Sequence, residues 1–223
     1  LPESVFDTSE NKYIRLFIYK YFKVKAVVSL PQLAFEPFTS TKTSILFAQK
    51  KTRAEIEKWN KIWADVSKLY GQLKTRTENI IDVVDGKKAK AKLPSIRNLT
   101  EKEEADVIKA MLQSYLSPAD KDKSAVELVT KYRSELAIIT KLDKDSQDYF
   151  GYVNVWWVFS EVAKQLPYDI FMAEVDAIGY KRTTRSEKET INELYRSVNN
   201  NEPMVDDNII ETVLDEMRKI EWD

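Results

Sequence analysis

From Arg53 to Val84 the sequence runs 32 residues without proline and with a single glycine, Gly71. Within that run Ile56, Trp59, Trp63, Val66, Tyr70, Leu73, Ile80 and Val84 recur in steps of three and four, and Thr77 fills the one polar slot. This spacing predicts one long helix with a narrow apolar seam. Such a seam is buried only against other helices, so the chain must supply or recruit them. Two later stretches fit that need. Thr100 and Glu103 form a capping-box signature before Ile108, Met111, Leu112, Tyr115 and Leu116. Ser117-Pro118 opens a further helix to about Leu142, with Leu128, Val129, Tyr132, Leu136 and Ile139 inward. An antiparallel bundle is expected. Trp59 and Trp63 belong to the seam and read as packing residues.

Flanking segments are of another kind. Asp7-Thr8-Ser9 is a helix-start cluster, followed by Ile14, Phe17, Ile18, Tyr21 and Phe22 at helical spacing. Residues 24–30 read as a short strand stopped by Pro31. Residues 43–48 read as a second strand, apolar enough for burial on both faces. Residues 153–166 fit a short helix or a strand, and the Glu161-to-Gln165 tail favours the helix. Trp156 and Trp157 lie about 100° apart on such a helix, which speaks for packing rather than one aromatic platform. Asp169–Val175 reads as a strand, Gly179 as a turn, and Tyr180–Thr183 as the returning partner strand. Ser186–Ser197 reads as polar and weakly helical, Asn199–Asn201 as a loop, and Asp206–Ile220 as a final amphipathic helix carrying Ile210, Val213, Leu214 and Met217. The fold class is therefore mixed α/β and helix-rich. Three segments follow: 1–52, 53–166 and 167–223.

Composition excludes several chemistries. The 223 residues hold no cysteine and no histidine, which removes disulfides, a thiol nucleophile, a histidine base and the usual zinc sites. A net charge of −1 gives no global basic field for nucleic acid, although a local patch remains open. No apolar run is long enough to span a membrane, and nothing reads as a signal peptide. Glu3 and Asp7 have no spaced acidic partner, so helix capping is their best account.

Two sets of residues carry a family likeness. The first is Leu1-Pro2-Glu3-Ser4-Val5-Phe6 with Pro37-Phe38-Thr39-Ser40-Thr41-Lys42-Thr43-Ser44-Ile45-Leu46-Phe47. The second is Phe171-Met172-Ala173-Glu174-Val175 with Ile178-Gly179-Tyr180, followed by Asn192-Glu193-Leu194 where that family has Asn-Asp-Leu. Together they resemble the C-terminal part of adenine-N6 DNA methyltransferases, of the kind found as modification subunits of type I restriction systems. The first likeness covers about fifty residues. The helices between the two carry none.

The resemblance implies a remnant of a Rossmann-like methyltransferase sheet plus a helical extension with a small β element. Leu1–Ser4 would leave the fifth strand, residues 9–22 would be the next helix, 24–30 the sixth strand, and 43–48 the antiparallel seventh, lying between the fifth and the sixth. It implies transfer of a methyl group from S-adenosylmethionine to adenine N6 in DNA, in the cytoplasm, within a restriction-modification system. The family's Gly-rich donor loop and its Asn-Pro-Pro-aromatic tetrapeptide do not occur here, and the first residue is Leu, which fits a fragment. The chain alone is thus expected to bind no donor and to be inactive, the donor site lying upstream.

By the same resemblance Phe38 matches the aromatic residue that stacks on an extruded target base, with Phe35 the alternative. Both also fit ordinary loop packing. Thr39, Thr41 and Lys42 are candidates for DNA phosphate or base-edge contact, as are the basic residues Lys87, Lys88, Lys90 and Lys92 and the pair Arg182 and Arg185. Solvated loops are the competing account for each. The helical region offers a second function, docking a specificity subunit or a second copy without catalysis. Finally, a severed sheet leaves one edge of residues 43–48 without its partner, so another copy or the C-terminal segment is expected to cover it.

Overall fold

The computed structural model describes residues 1–32, 34–146, 150–182, 185–195 and 211–221. The chain forms two compact units, residues 1–56 with 168–223, and residues 57–167. The last segment of the sequence therefore shares a unit with the first.

In the first unit, helices α1 (Ser4–Asp7) and α2 (Lys12–Tyr21) lead into strand β1 (Phe22–Ser29), and strand β2 (Ser44–Lys50) returns antiparallel to it. The expected single helix over 9–22 is preceded by a separate short one. Thr8 explains the break: it adopts extended backbone and its hydroxyl donates to the Ser4 carbonyl at 2.8 Å, which closes α1. Glu3 does not cap α1 with its side chain, and α2 starts at Asn11 without a side-chain cap. The inward face of α2 also differs from the expected one. Leu16 is fully buried, whereas Ile14 and Phe17 are about half exposed. Phe17 instead sets its ring against Tyr21, tilted by 49° with 4.8 Å between centroids.

Strand β1 is the middle of a three-stranded sheet ordered β2-β1-β3, where β3 is Phe171–Glu174 and runs parallel to β1. A register shift between Val24 and Ala26 places Ala26, Val28 and Leu30 on one face. There they pack with Ala34, Val175 and Met217, and with Phe47, Phe171 and Ile178. Val24, Val27 and Ser29 line a cavity of about 300 Å³ on the other face, beneath Phe6, Ile18 and Tyr19. Strand β2 is less enclosed than expected. Only Ser44 is buried, because this strand borders the sheet. Its outer side meets the N-terminus at one place: Pro2 bridges Thr43 antiparallel, and Ser44 exchanges backbone hydrogen bonds of 2.8 Å with Leu1. The C-terminal segment joins the sheet at the opposite edge, on β1.

A two-stranded antiparallel hairpin follows, β4 (Ile178–Arg182) and β5 (Glu187–Asn192). This corrects two expectations: residues 180–182 pair with 187–189 rather than with 169–175, and the polar stretch after Ser186 is a strand rather than a weak helix. Thr190 and Ile191, both β-branched, are the residues that favour it. Of the final helix, α8 (Val213–Met217) is described, started by Thr212 and Asp215 in a capping box. Thr183, Ser197, Asn199–Asn201 and the 206–210 portion of the expected helix lie outside the described residues.

The second unit contains most of α3 (Arg53–Val84), then α4 (Glu101–Leu112), α5 (Ala125–Lys131), α6 (Arg133–Ile139) and α7 (Val155–Gln165). Thr52 and Glu55 cap α3 reciprocally, and Thr100 with Glu103 does so for α4 as expected. The seam of α3 is buried at Trp59, Trp63, Val66, Tyr70, Leu73, Thr77 and Ile80. Its partners come from the same unit. The Trp63 indole donates to the Phe150 carbonyl at 2.9 Å, and the Tyr70 hydroxyl donates to the Ile139 carbonyl at 2.9 Å. Trp157 of α7 lies 5.4 Å from the Tyr70 ring and donates to the Met111 carbonyl of α4. Trp156 is the exposed member of its pair.

The helix expected from Ser117 to Leu142 is interrupted twice. A 3-10 turn at Pro118–Asp120 precedes α5, which Ser124 and Glu127 cap, and Tyr132 leaves helical geometry between α5 and α6. Tyr132 donates its hydroxyl to the buried Asp120 carboxylate, which Ser117, Lys123 and Lys131 also engage. The expected inward residues remain inward. Tyr115 is the exception, since Gln113 at φ 47° ends α4 before it.

Two outcomes follow for this unit. Thr77 is fully buried and its hydroxyl oxygen meets no partner among the described residues. Replacing it by valine keeps the shape and removes the unpaired group, so Thr77→Val is expected to stabilise by about 1 kcal/mol in urea unfolding. The Asp120 carboxyl is held far below the usual range by Lys123 first, then Lys131, Ser117 and Tyr132. A depressed folded pKa contributes stability above the unfolded value of about 3.9 and loses it as pH falls toward the folded value. Unfolding midpoints should therefore fall as the pH drops below about 4, and Asp120→Asn should flatten that dependence while lowering the midpoint at pH 7.

Candidate functional site

Of the residues singled out for DNA contact, Phe35, Phe38, Thr39, Thr41 and Lys42 fall on the loop between β1 and β2, Arg182 and Arg185 lie in the hairpin of the same unit, and Lys87, Lys88, Lys90 and Lys92 lie in the second unit. The loop opens with Leu30 and Ala34, both buried in the core beneath the sheet. Pro31 and Ala34 form a first turn through a 3.0 Å backbone bond. A second turn returns the amides of Phe38 and Thr39 to the Phe35 carbonyl, at 2.9 and 3.2 Å. Between them, buried small and apolar residues pin the stem, and the tip is left to itself.

Phe38 stands at that tip with 84% of its surface exposed. Phe35 is 45% exposed and lines an open groove of about 520 Å³ with Leu30, Thr43, Ile45 and Leu46 along the outer side of β2. The two aromatic residues are thus not equivalent: one walls a groove, the other has no core to fill. Among the described residues Phe38 is the most exposed large hydrophobic side chain.

After Phe38 the chain is polar. The Thr39 hydroxyl donates to the Thr41 hydroxyl at 3.0 Å and accepts from the Thr41 amide at 3.1 Å. The Lys42 ammonium lies 2.9 Å from Glu174 and 3.3 Å from Glu3. Glu174, and then Glu3, raise its pKa. Lys42 thus faces two carboxylates rather than open solvent.

The basic loop after α3 is similarly occupied. Lys87 pairs with Asp85 at 2.9 Å, Lys88 with Asp82 at 2.7 Å, and Lys90 with Glu104. Arg133 adds a second cation to Asp85, at 2.6 Å, and together with Lys87 holds that carboxyl down at about 2. Local acid neutralises this loop, and Lys92 follows in a 3-10 turn. Arg182 ends β4 opposite Glu187, and Arg185 follows in the connection. The loop from 30 to 43 and the 171–182 segment belong to the first unit, Lys87–Lys92 to the second.

The second family-like set of residues turns out to be one physical object. Ile178 and Asn192 are paired across the hairpin, with a register shift before Tyr180. Gly179 sits at φ +91°, and a Cβ there would meet the Asn192 side-chain nitrogen at 3.4 Å. The glycine thus marks a bulge within the strand rather than a turn. Asn192 is buried and its side-chain oxygen accepts from the Leu194 amide at 3.0 Å. The Glu193 carboxylate accepts from the Asp176 amide at 2.8 Å, closing the turn between β3 and β4. Leu194 packs into the core around Val175. Sequence reading noted these residues but missed their joint role; the Asn and Glu beside each other after a strand were the available signal.

A methyl donor of the adenosylmethionine type needs backbone that approaches it closely, usually at a glycine turn. Gly71 lies inside α3, Gly86 and Gly151 in connections of the second unit, and Gly179 is closed by Asn192. None forms a cradle beside the parallel strands. The described residues do not fit the donor. Among them there is also no cluster of acidic residues able to hold a metal. No helix of the described residues is long and apolar enough to cross a membrane.

No protein-family model matches the chain, and no curated protein matches it. The family likeness therefore rests on the quoted residues alone.

At Gly179 any other residue meets the strained φ, while its Cβ would lie at ordinary contact distance from Asn192. Gly179→Ala is expected to cost about 1–3 kcal/mol in denaturant unfolding. Adding Asn192→Ala should recover none of it, because the strain lies in the backbone.

Proposed function

We propose that this chain is the base-side part of a DNA methyltransferase that transfers a methyl group from S-adenosylmethionine to N6 of adenine, within a restriction-modification system. The observation that carries the reading is the placement of the Phe38 loop. It leads directly into a strand that is antiparallel to its neighbour β1 and, through the Pro2–Thr43 bridge, to the incoming N-terminal segment. That single bridge lies on the side of the strand where the resemblance sets the fifth strand, and it supports the reading. An exposed aromatic residue at the loop preceding the reversed strand is suited to the task of holding a base drawn from the duplex.

In this reading the chain's own work is on the base, not on the donor. Extrusion of a paired adenine costs a few kcal/mol, and a stacked aromatic face returns about 1–3 kcal/mol of it. Phe38 supplies that face, and Phe35 bounds the groove beside it. The threonines after Phe38 offer hydroxyls toward the sugar-phosphate. The ion-paired Lys42, Lys87 and Lys88 contribute less to phosphate binding than their number suggests, since each has an acidic partner to leave first.

The test is methyl transfer by the full-length gene product. It should transfer labelled methyl groups from S-adenosylmethionine to adenine N6 in duplex DNA. Phe38→Ala should lower the rate about ten- to hundredfold on a paired target adenine. The loss should be smaller on a mismatched target, where extrusion is cheaper. Absence of methyl transfer to DNA by the unaltered protein overturns the function, and equal loss on both substrates overturns the role of Phe38.

A further inference from the structure

Loop residues 35–41 lie between two anchored stems, and both anchors reach into the C-terminal strand segment. On the first stem, the Tyr180 hydroxyl of β4 donates to the Ala34 carbonyl at 3.0 Å, across 146 residues of sequence. Ala34 itself is buried against Val175, and a small cavity of about 130 Å³ separates Pro31 and Ala34 from Ile178, Tyr180 and Thr190. On the second stem, Lys42 is held by Glu174 of β3, with Glu3 as its further partner. Glu174 ends β3 and Tyr180 lies within β4, on either side of one turn. Glu193 ties that turn's backbone at Asp176, and Gly179 forms a bulge beside Asn192 just before Tyr180.

The Tyr180 ring is 40% exposed, so burial alone does not determine where it lies. Its hydroxyl is spent on a carbonyl that has no strand partner, one residue before Phe35. A tyrosine at this position does what phenylalanine cannot: it fastens the loop without covering the exposed Phe38.

The geometry points to Tyr180 as a positioning residue for the base-stacking loop, with Glu174 as the second fastener through Lys42. This rests on the reading of Phe38 given above. The C-terminal strand-and-hairpin element then has a defined task. It holds Phe38 in a fixed place in water so that a base meets a preformed face, and the ordering cost is met before DNA arrives. Tyr180 touches no reacting atom, and its effect passes through Ala34 and the Phe35–Phe38 turn.

Hydrogen exchange on the 223-residue chain, without DNA, tests the fastening directly. Tyr180→Phe removes one hydroxyl and keeps the ring. Exchange at the amides of Phe38, Thr39 and Thr41 should rise about five- to tenfold, the value of one lost hydrogen bond. Exchange in β1 should rise no more than in the loop, and the thermal midpoint should fall by only about 2–8 °C. Glu174→Gln should raise exchange at Thr41 and Lys42 less, since the amide still accepts a hydrogen bond. Unchanged loop exchange in Tyr180→Phe overturns the proposal, as does a rise in β1 and β2 larger than the rise in the loop, which marks general destabilisation.

Kinetics of the full-length protein separate this from the function itself. A positioning role predicts that Tyr180→Phe lowers kcat on a paired target adenine more than on a mismatched one, with KM for S-adenosylmethionine unchanged. Equal effects on both targets overturn the positioning role even where exchange has risen. Faster loop exchange in a protein that methylates no DNA sinks the methyltransferase reading and leaves the fastening of the loop standing.

Discussion

Strand β1 is the element on which the first unit depends. It carries β2 on one edge, β3 on the other, and apolar side chains on both faces. Residues from three distant stretches of sequence are thereby held within one hydrogen-bonded ladder. Without β1 there is no edge for 171–174 to join, no core for Leu30 and Ala34, and no fixed stem for the loop above them. The register shift between Val24 and Ala26 matters for the same reason. It lets one short strand serve the Met217 side with Ala26 and Val28, and the α2 side with Val24 and Val27. A strict alternation would set Val24 on the same face as Ala26 and Val28.

The helical unit is stable for a different reason. Its long helix buries three polar-tipped aromatic residues or their neighbours, and each tip finds a carbonyl. Trp63 reaches Phe150, Tyr70 reaches Ile139, and Trp157 reaches Met111. These bonds orient large rings that hydrophobic burial alone would leave free to choose among rotamers. They also settle what the narrow seam of α3 packs against. It is covered by helices of its own unit, so the seam is not a free docking face.

Much of this was legible in the residues. The period of three and four from Trp59 to Ile80 foretold both the helix and its buried face, because a 32-residue pattern averages out local exceptions. Strands β1 and β2 were legible as two apolar runs parted by prolines, while their antiparallel placement was expected only from the family resemblance. What failed was short or conditional on tertiary contact. The face of α2 was misjudged, since Ile14 and Phe17 are apolar by type but their helix buries Leu16 instead. The interruption at Tyr132 depends on Asp120, a carboxylate twelve positions away whose partners no local pattern reveals. Strand β5 hides in a polar stretch because the hairpin leaves both its faces largely in solvent. The capping boxes at Thr52–Glu55, Ser124–Glu127 and Thr212–Asp215 share the spacing of the one at Thr100, and would have placed three further helix starts.

In the candidate site the sequence named the loop and its aromatic residues, but not what holds them. A hydroxyl donating to a carbonyl 146 residues away leaves no trace in local pattern. Its consequence is physical. A loop that is anchored only by its own turns samples many positions, and an exposed phenylalanine on such a loop would pay for each contact with the entropy of stopping. Fastening the stems at Ala34 and Lys42 confines the tip without burying it. Strand β3, which completes the sheet beside β1, and strand β4 of the separate hairpin therefore also hold the two stems on which Phe38 stands. Pairing of β3 and fastening of the loop are, in this unit, linked through Glu174.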